Sequence, residues 1–495
     1  MPSKLSEHVF KKGKFTAPFN TIMSSISDDK SWTYGRLPEY LWIGLVFKQY
    51  GRKIGLEKMY KIICDLHELM PELTSPRLSA ILSTEAELQQ IFYKRVLKII
   101  NKKALAPLTM IFTLSKYPEF AKCFYEEEMN VNERRQVLIE TMRLLMDHQT
   151  NDATDIRFIV LYFESMSGRL HIRKEQADLL LKYPYLDHGD EEMRMIRPMV
   201  RSMELITLAF EEPDLEYLNY FWESVSAMTE CELMSIKFPK EEMQIDMYME
   251  QVFEVFDYLT AVFRETDPLN RKMQVLLGIA TYSYKRLKEA YEHKLFNSPS
   301  GRSCIRVLIE NYIMMKYLVK NESAHDDIWR DYQFYGIGLY KLVLARHREN
   351  AEKRDSHFDE NYIEALVNEF VIEDSIDMDT RYFDQTNIRI KAEAVNEKTL
   401  YGLYYDYDSS YEHGLWGAIR ESSMLKCNNP THQYHCVPDI NDENILKTVL
   451  PDCIYVMNKT ISFLRDIYGL PEKLFEEVMK FEEQFASRED NSSAK

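Results

Sequence analysis

The stretch IDMYMEQVFEVFDYLTAVF, residues 245–263, carries Ile245, Met249, Val252, Phe256, Leu259 and Phe263 at intervals of three and four. That spacing lines the apolar side chains along one stripe of a helix, the pattern of a helix lying on a core. Outward from it, 269–297, 301–320 and 323–352 repeat the period over lengths suited to a bundle. Upstream, LPEYLWIGLVFKQYGRKIGLEKMYKIICDLHELM (37–70) shows the same recurrence, with Pro38 where a first helical turn tolerates it. Shorter helices are expected through 85–101, 104–116, 118–127, 132–148, 152–167, 174–183 and 190–210, with Pro213 opening the next. Ser75 before Pro76, a capping box from Thr84 to Glu87, and Asn151 with Asp152 mark helix starts. No segment alternates as a strand should.

The reading is all-α: an irregular N-terminal helical array packed on a C-terminal long-helix bundle. Residues 1–35 form an arm docking across the helices, 36–238 the first helical domain, 239–486 the bundle, and 487–495 a disordered tail. The boundary falls where the pattern breaks at Pro239. Residues 373–387 form an acidic loop.

Composition narrows the functional classes. With 45% hydrophobic and 28% charged residues but only 15 glycines and 17 prolines, the chain is globular and poor in hairpin signals. A net charge of −17 opposes generic binding to DNA, whose non-specific affinity comes from Lys and Arg neutralising phosphates. Apolar runs are too short to span a bilayer, so no membrane partner is expected and the protein reads as cytoplasmic. Seven scattered cysteines do not resemble a disulfide framework and read as reduced thiols.

Two sets of residues can carry chemistry. In GRSCIRVLIENYIMMKYL, Arg302, Arg306 and Glu310 stand at i, i+4 and i+8; in YDYDSSYEHG, Tyr405, Ser409 and His413 repeat that spacing. Two such faces meeting would assemble a metal-independent site for phosphoryl chemistry. Arg306, Glu310 and His413 would be catalytic, and Arg302, Tyr405 and Ser409 would bind substrate. The structural alternative is an i, i+4 ion pair and a satisfied hydrogen bond fixing bundle register. The second set, KCNNPTHQYHC, offers Cys427, His432, His435 and Cys436 as zinc ligands. His435 and Cys436 are sequential neighbours, which strains joint coordination, and no C-x-x-C pair anchors a knuckle. A loop turned at Pro430, with no metal or other cofactor, is the preferred reading.

The string RSCIRVLIENYIMMKYLV, followed by EKTLYGLYYDYDSSYEHG, resembles the R-x-x-x-E and Y-x-x-x-S-x-x-x-H-G pair of a large bacterial family of uncharacterised helical proteins. That family is distantly similar to the higher-eukaryote and prokaryote nucleotide-binding (HEPN-like) bundles, many of them RNA-cleaving toxins or phage-defence effectors. The resemblance implies a defence or toxin-type effector acting on RNA or a nucleotide, a metal-independent ribonuclease with Arg306 steadying phosphate and His413 moving the proton. The nuclease signature of those bundles, an Arg followed by four to six residues and then a His on one helix, is read as missing. The alternative is a non-catalytic scaffold or protein-interaction module. Candidate partners are RNA or a nucleotide in a local pocket, a protein, or a second copy of the chain.

Overall fold

The stripe at 245–263 folds as a helix, Asp246–Thr266, with Met249, Val252, Phe256 and Leu259 buried and Phe263 half-buried beside them. It belongs to a computed structural model that describes residues 4–18, 30–170, 173–208, 211–238, 244–350, 357–369, 372–376, 384 and 386–481. About 71% of the chain is helical with only a few short strands, so the protein is all-α. It divides into two compact units: Met1–Met234 with Lys426–His435, and Ser235–Leu425 with Cys436–Lys495. The division falls a few residues before Pro239. The return of 426–435 to the first unit has no counterpart in the sequence reading.

The first unit is built around α1, Leu37–Tyr50, of which eleven residues are buried. Such all-round burial marks a central helix. Around it lie α2 (Arg52–Leu69), α3 (Ala86–Ile99), α4 (Val131–Leu145), α5 (Asn151–Met166), α6 (Met193–Leu208) and α7 (Leu215–Ser226). Gly44 of α1 permits close approach to α4, since a Cβ there would stand 2.5 Å from Leu145 Cδ1. Two buried carboxylates of this core have partners: Glu204 of α6 lies between Arg36 and Arg157, and Glu39 accepts from the Ser79 N–H and hydroxyl at 2.9 and 2.7 Å.

Local expectations differ in four places. The expected helix 104–116 is instead a pair of tighter turns, Lys102–Ala104 and Ala106–Met110, with Pro107 interrupting the helical hydrogen bonds. Thr84 does not cap α3; its hydroxyl turns back to the Ile81 carbonyl, and a true capping box forms at Asn130 and Glu133 before α4. The arm contains a hairpin of β1 (Val9–Lys11) and β2 (Lys14–Thr16), turned through left-handed Lys12 and Gly13. Its Val9, Phe10 and Phe15 are exposed, so this part of the arm does not dock. Finally, β3 (Leu233–Met234) and β4 (Met424–Cys427) pair antiparallel in the register Leu233↔Cys427 and Met234↔Lys426.

The second unit contains α8 (Asp246–Thr266), α9 (Arg271–Glu292), α10 (Pro299–Asn321), α11 (Ile328–Glu349), α12 (Asp406–Glu412), α13 (Trp416–Ser423) and α14 (Leu450–Tyr468). Here α10 is central: it touches α9, α12 and α14 and buries Ile305, Leu308, Ile309 and Met315. The tail expected at 487–495 and much of the acidic loop lie outside the described residues. No described helix is long and apolar enough to cross a membrane.

Candidate functional site

The two sequence motifs do meet, along α10 and the segment leading into α12. Residues Tyr401–Tyr405 form a single wide π turn before α12, a local distortion that often re-aims side chains at functional positions. Tyr405 lands over Arg306, which donates from Nη2 to the Tyr405 hydroxyl at 2.8 Å. That hydroxyl reaches Glu310 Oε2 at 3.3 Å, and Arg306 lies 3.5 Å from the same carboxylate. One turn earlier, Arg302 donates to the Lys447 carbonyl at 2.9 Å and faces Asp408 at 4.0 Å.

Asp408 is the residue the motifs did not single out. It is 3% exposed, and its Oδ1 has no hydrogen-bond partner among the described residues. Burial raises its carboxyl to about 7, with Asp452 and Glu421 pushing the same way and Arg302 opposing. The Tyr405 hydroxyl is likewise raised to about 12, by burial and then by Glu310.

His413 stands apart. It is exposed at the C-terminal end of α12, held by its backbone N–H to the Ser409 carbonyl, and its ring makes no hydrogen bond, ion pair or ring contact among the described residues. Eight helical residues advance about 12 Å and turn about 80° beyond two full circles, so Tyr405 and His413 do not share one patch. Ser409 is half-buried between them. The spacing of the nuclease signature, read above as missing, does occur twice. Arg143-x4-His148 ends beyond α4, where Arg143 pairs with Glu232; Arg286-x6-His293 ends α9, where Arg286 pairs with Glu289 at 2.6 Å and His293 is exposed.

The second candidate gathers in the first unit. Cys231, Cys427, His432 and His435 each bring one ligand atom, and all four atoms lie within 4.8 Å of one another. The set differs from the sequence candidate by one member: Cys231 stands where Cys436 was expected. The β3–β4 ladder explains the change, since pairing Leu233 with Cys427 draws Cys231 up to the loop that follows β4. Asn428 N–H bonds to Glu232 O at 2.8 Å and Cys427 N–H to His435 O at 2.8 Å, fixing both sides. A lone cysteine in TECEL carries no local signal.

This unit also contains a cleft of about 870 Å³, lined in part by Lys53, Tyr60, Lys61, Tyr162, Leu181 and Tyr185. It is contributed by separate helices and has no motif in the sequence.

The fold and these groups define an all-α protein with a partly buried polar seam and a cysteine-histidine cluster. Residues 275–432 match a family described as a family of unknown function, DUF5677. The match takes in both halves of the seam, but Cys231 and His435 lie outside it. No curated protein and no solved structure matches the chain.

Proposed function

We propose that the chain is a non-catalytic helical interaction protein whose α12–α13 hairpin docks a protein partner presenting apolar side chains flanked by lysines or arginines. One observation carries the reading. Tyr407, Leu415, Trp416 and Ile419 on this hairpin, with Leu403 and Tyr404 in the π turn that leads into it, are all substantially exposed, Leu403 and Trp416 at 65% each. Scattered exposed apolar residues need no explanation, whereas aromatic residues concentrated on one element mark a contact surface. The hairpin is braced for that role: Tyr407 donates to both oxygens of Glu421 across the turn at 2.8 Å. Asp406, Glu412 and Glu421 give it an acidic surround, and the net charge of −17 disfavours a second copy as occupant. The polar seam behind it supports the hairpin.

A photo-crosslinking residue at Trp416, introduced in the native cells, tests this against the same residue at exposed Tyr185. The expected result is one dominant adduct at 416 alone. Its purified partner should bind more weakly as salt rises, and not at all to Trp416→Glu with Leu403→Glu. Undiminished binding to that double variant, or equal adducts at both positions, overturns the reading.

A second reading, an effector acting on RNA or a nucleotide, is favoured by the Arg286-x6-His293 spacing at the end of α9. Against it, Glu310, Asp408, Glu421 and Asp452 outnumber Arg302 and Arg306 in the seam, a poor field for phosphate. Cleavage of total RNA by the purified chain, lost in His293→Ala or His413→Ala, would establish the effector and displace the docking role.

A further inference from the structure

We infer that Cys231, Cys427, His432 and His435 form a structural zinc site. The ligand atoms already have nearly the separations a tetrahedral ion imposes. Zinc bound at about 2.3 Å to sulfur and about 2.0 Å to nitrogen holds neighbouring sulfur and nitrogen ligands about 3.5 Å apart. Here Cys231 Sγ lies 3.4 Å from His432 Nδ1 and 3.1 Å from His435 Nε2, and Cys427 Sγ lies 3.7 Å from His432 Nδ1. Two thiolates and two neutral imidazoles balance the ion's double charge, and four protein ligands close its coordination shell.

The surroundings are arranged as a ligand shell requires. With Nδ1 of His432 turned to the sulfurs, its Nε2 lies 3.2 Å from the Ser226 carbonyl and 3.3 Å from the Thr229 hydroxyl, an outer hydrogen bond that fixes ring and tautomer. Cys427 Sγ accepts the Asn429 backbone N–H at 3.4 Å, a bond that stabilises a thiolate. Asn429 in turn ties the loop to the Cys231 side, donating to Thr229 Oγ1 and the Glu230 carbonyl at 2.9 and 2.8 Å.

The backbone between the histidines supplies an independent observation. Gln433 and Tyr434 both adopt left-handed conformations, φ +54° and +53°. Consecutive non-glycine residues in that region are strained, and such strain persists where surrounding interactions over-determine it. The strain here brings His432 and His435 to the same point. Cys427 is buried while Cys231 and His435 are exposed, so the ion has a path in from solvent. On binding, each thiol gives up its proton to solvent as its sulfur bonds to zinc; no oxidant or reductant is involved.

The chain purified under reducing conditions should contain about one zinc per molecule. Cobalt(II) added to metal-stripped protein should give tetrahedral d–d bands with thiolate-to-cobalt charge transfer. Cys231→Ser and Cys427→Ser should lose the metal, Cys436→Ser should keep it, and His435→Cys, which preserves a tetrahedral donor set, should keep it too. If the serine variants fail to fold, the cobalt spectrum of the wild type and the two metal-retaining variants still decide. Wild type that neither contains zinc nor takes up cobalt overturns the inference. So does a Cys231–Cys427 disulfide in the freshly isolated protein, or zinc that survives Cys231→Ser but not Cys436→Ser.

Discussion

Arg306 and Tyr405, 99 residues apart, are joined by a 2.8 Å hydrogen bond from guanidinium to phenol, and the phenol continues to Glu310. A hydroxyl bridging a cation and a carboxylate is hard to replace, because its loss leaves the half-buried pair only its longer 3.5 Å ion contact. Tyr405→Phe should therefore destabilise the second unit by about 1–2 kcal/mol in urea titrations. An unchanged midpoint would show that the seam does not hold the bundle, and would return Arg306 to candidacy as a ligand-binding residue.

His413, exposed and without a side-chain partner among the described residues, should behave in the opposite way. His413→Ala should leave the melting temperature where it was, measured by circular dichroism beside Tyr405→Phe. A large drop would mean that the imidazole supports α12 after all.

Asp408 predicts a pH dependence. Its folded carboxyl is raised to about 7 from an ordinary 3.8. Between those values the folded state holds a proton that the unfolded state has released, so this group's contribution to stability falls as pH rises through that window and is least above about 7. Asp408→Asn removes the ionisation and should raise the melting temperature at pH 8 distinctly more than at pH 5. Equal shifts at both values would exclude a raised carboxyl at this position.

Glu204 provides the test of the first unit. It is 1% exposed and shared by buried Arg36 and Arg157, so Glu204→Leu leaves two guanidinium groups without their carboxylate. The expected loss is about 3–5 kcal/mol by chemical denaturation, the range for breaking a buried ion pair. A loss under about 1 kcal/mol would mean that water or a rearranged partner solvates the arginines.

The long helices were legible because their apolar stripes are local: 269–297, 301–320 and 323–352 correspond to Arg271–Glu292, Pro299–Asn321 and Ile328–Glu349. The meeting of Arg306 with Tyr405 was also suggested by periodicity, although the π turn and the pitch of α12 carry His413 away from it. Caps proved less legible, because Thr84 has a competing carbonyl at Ile81. The fourth ligand was invisible for a different reason. Cys231 reaches His435 only through strand pairing across 204 residues, and two-residue β3 is too short to show alternation.

The return of Lys426–His435 to the first unit has a consequence for synthesis. A ribosome releases residues in order, so the first unit is still missing part of itself when all of Met1–Met234 has emerged. Cys427, His432 and His435 arrive only after α8 to α13 have been translated. Until then, Cys231 waits on the nascent chain without the other three ligands, open to oxidants and to chaperones. A gene truncated before codon 426 would encode a helical array with one metal ligand and no means of closing, whereas one truncated after codon 435 would retain all four.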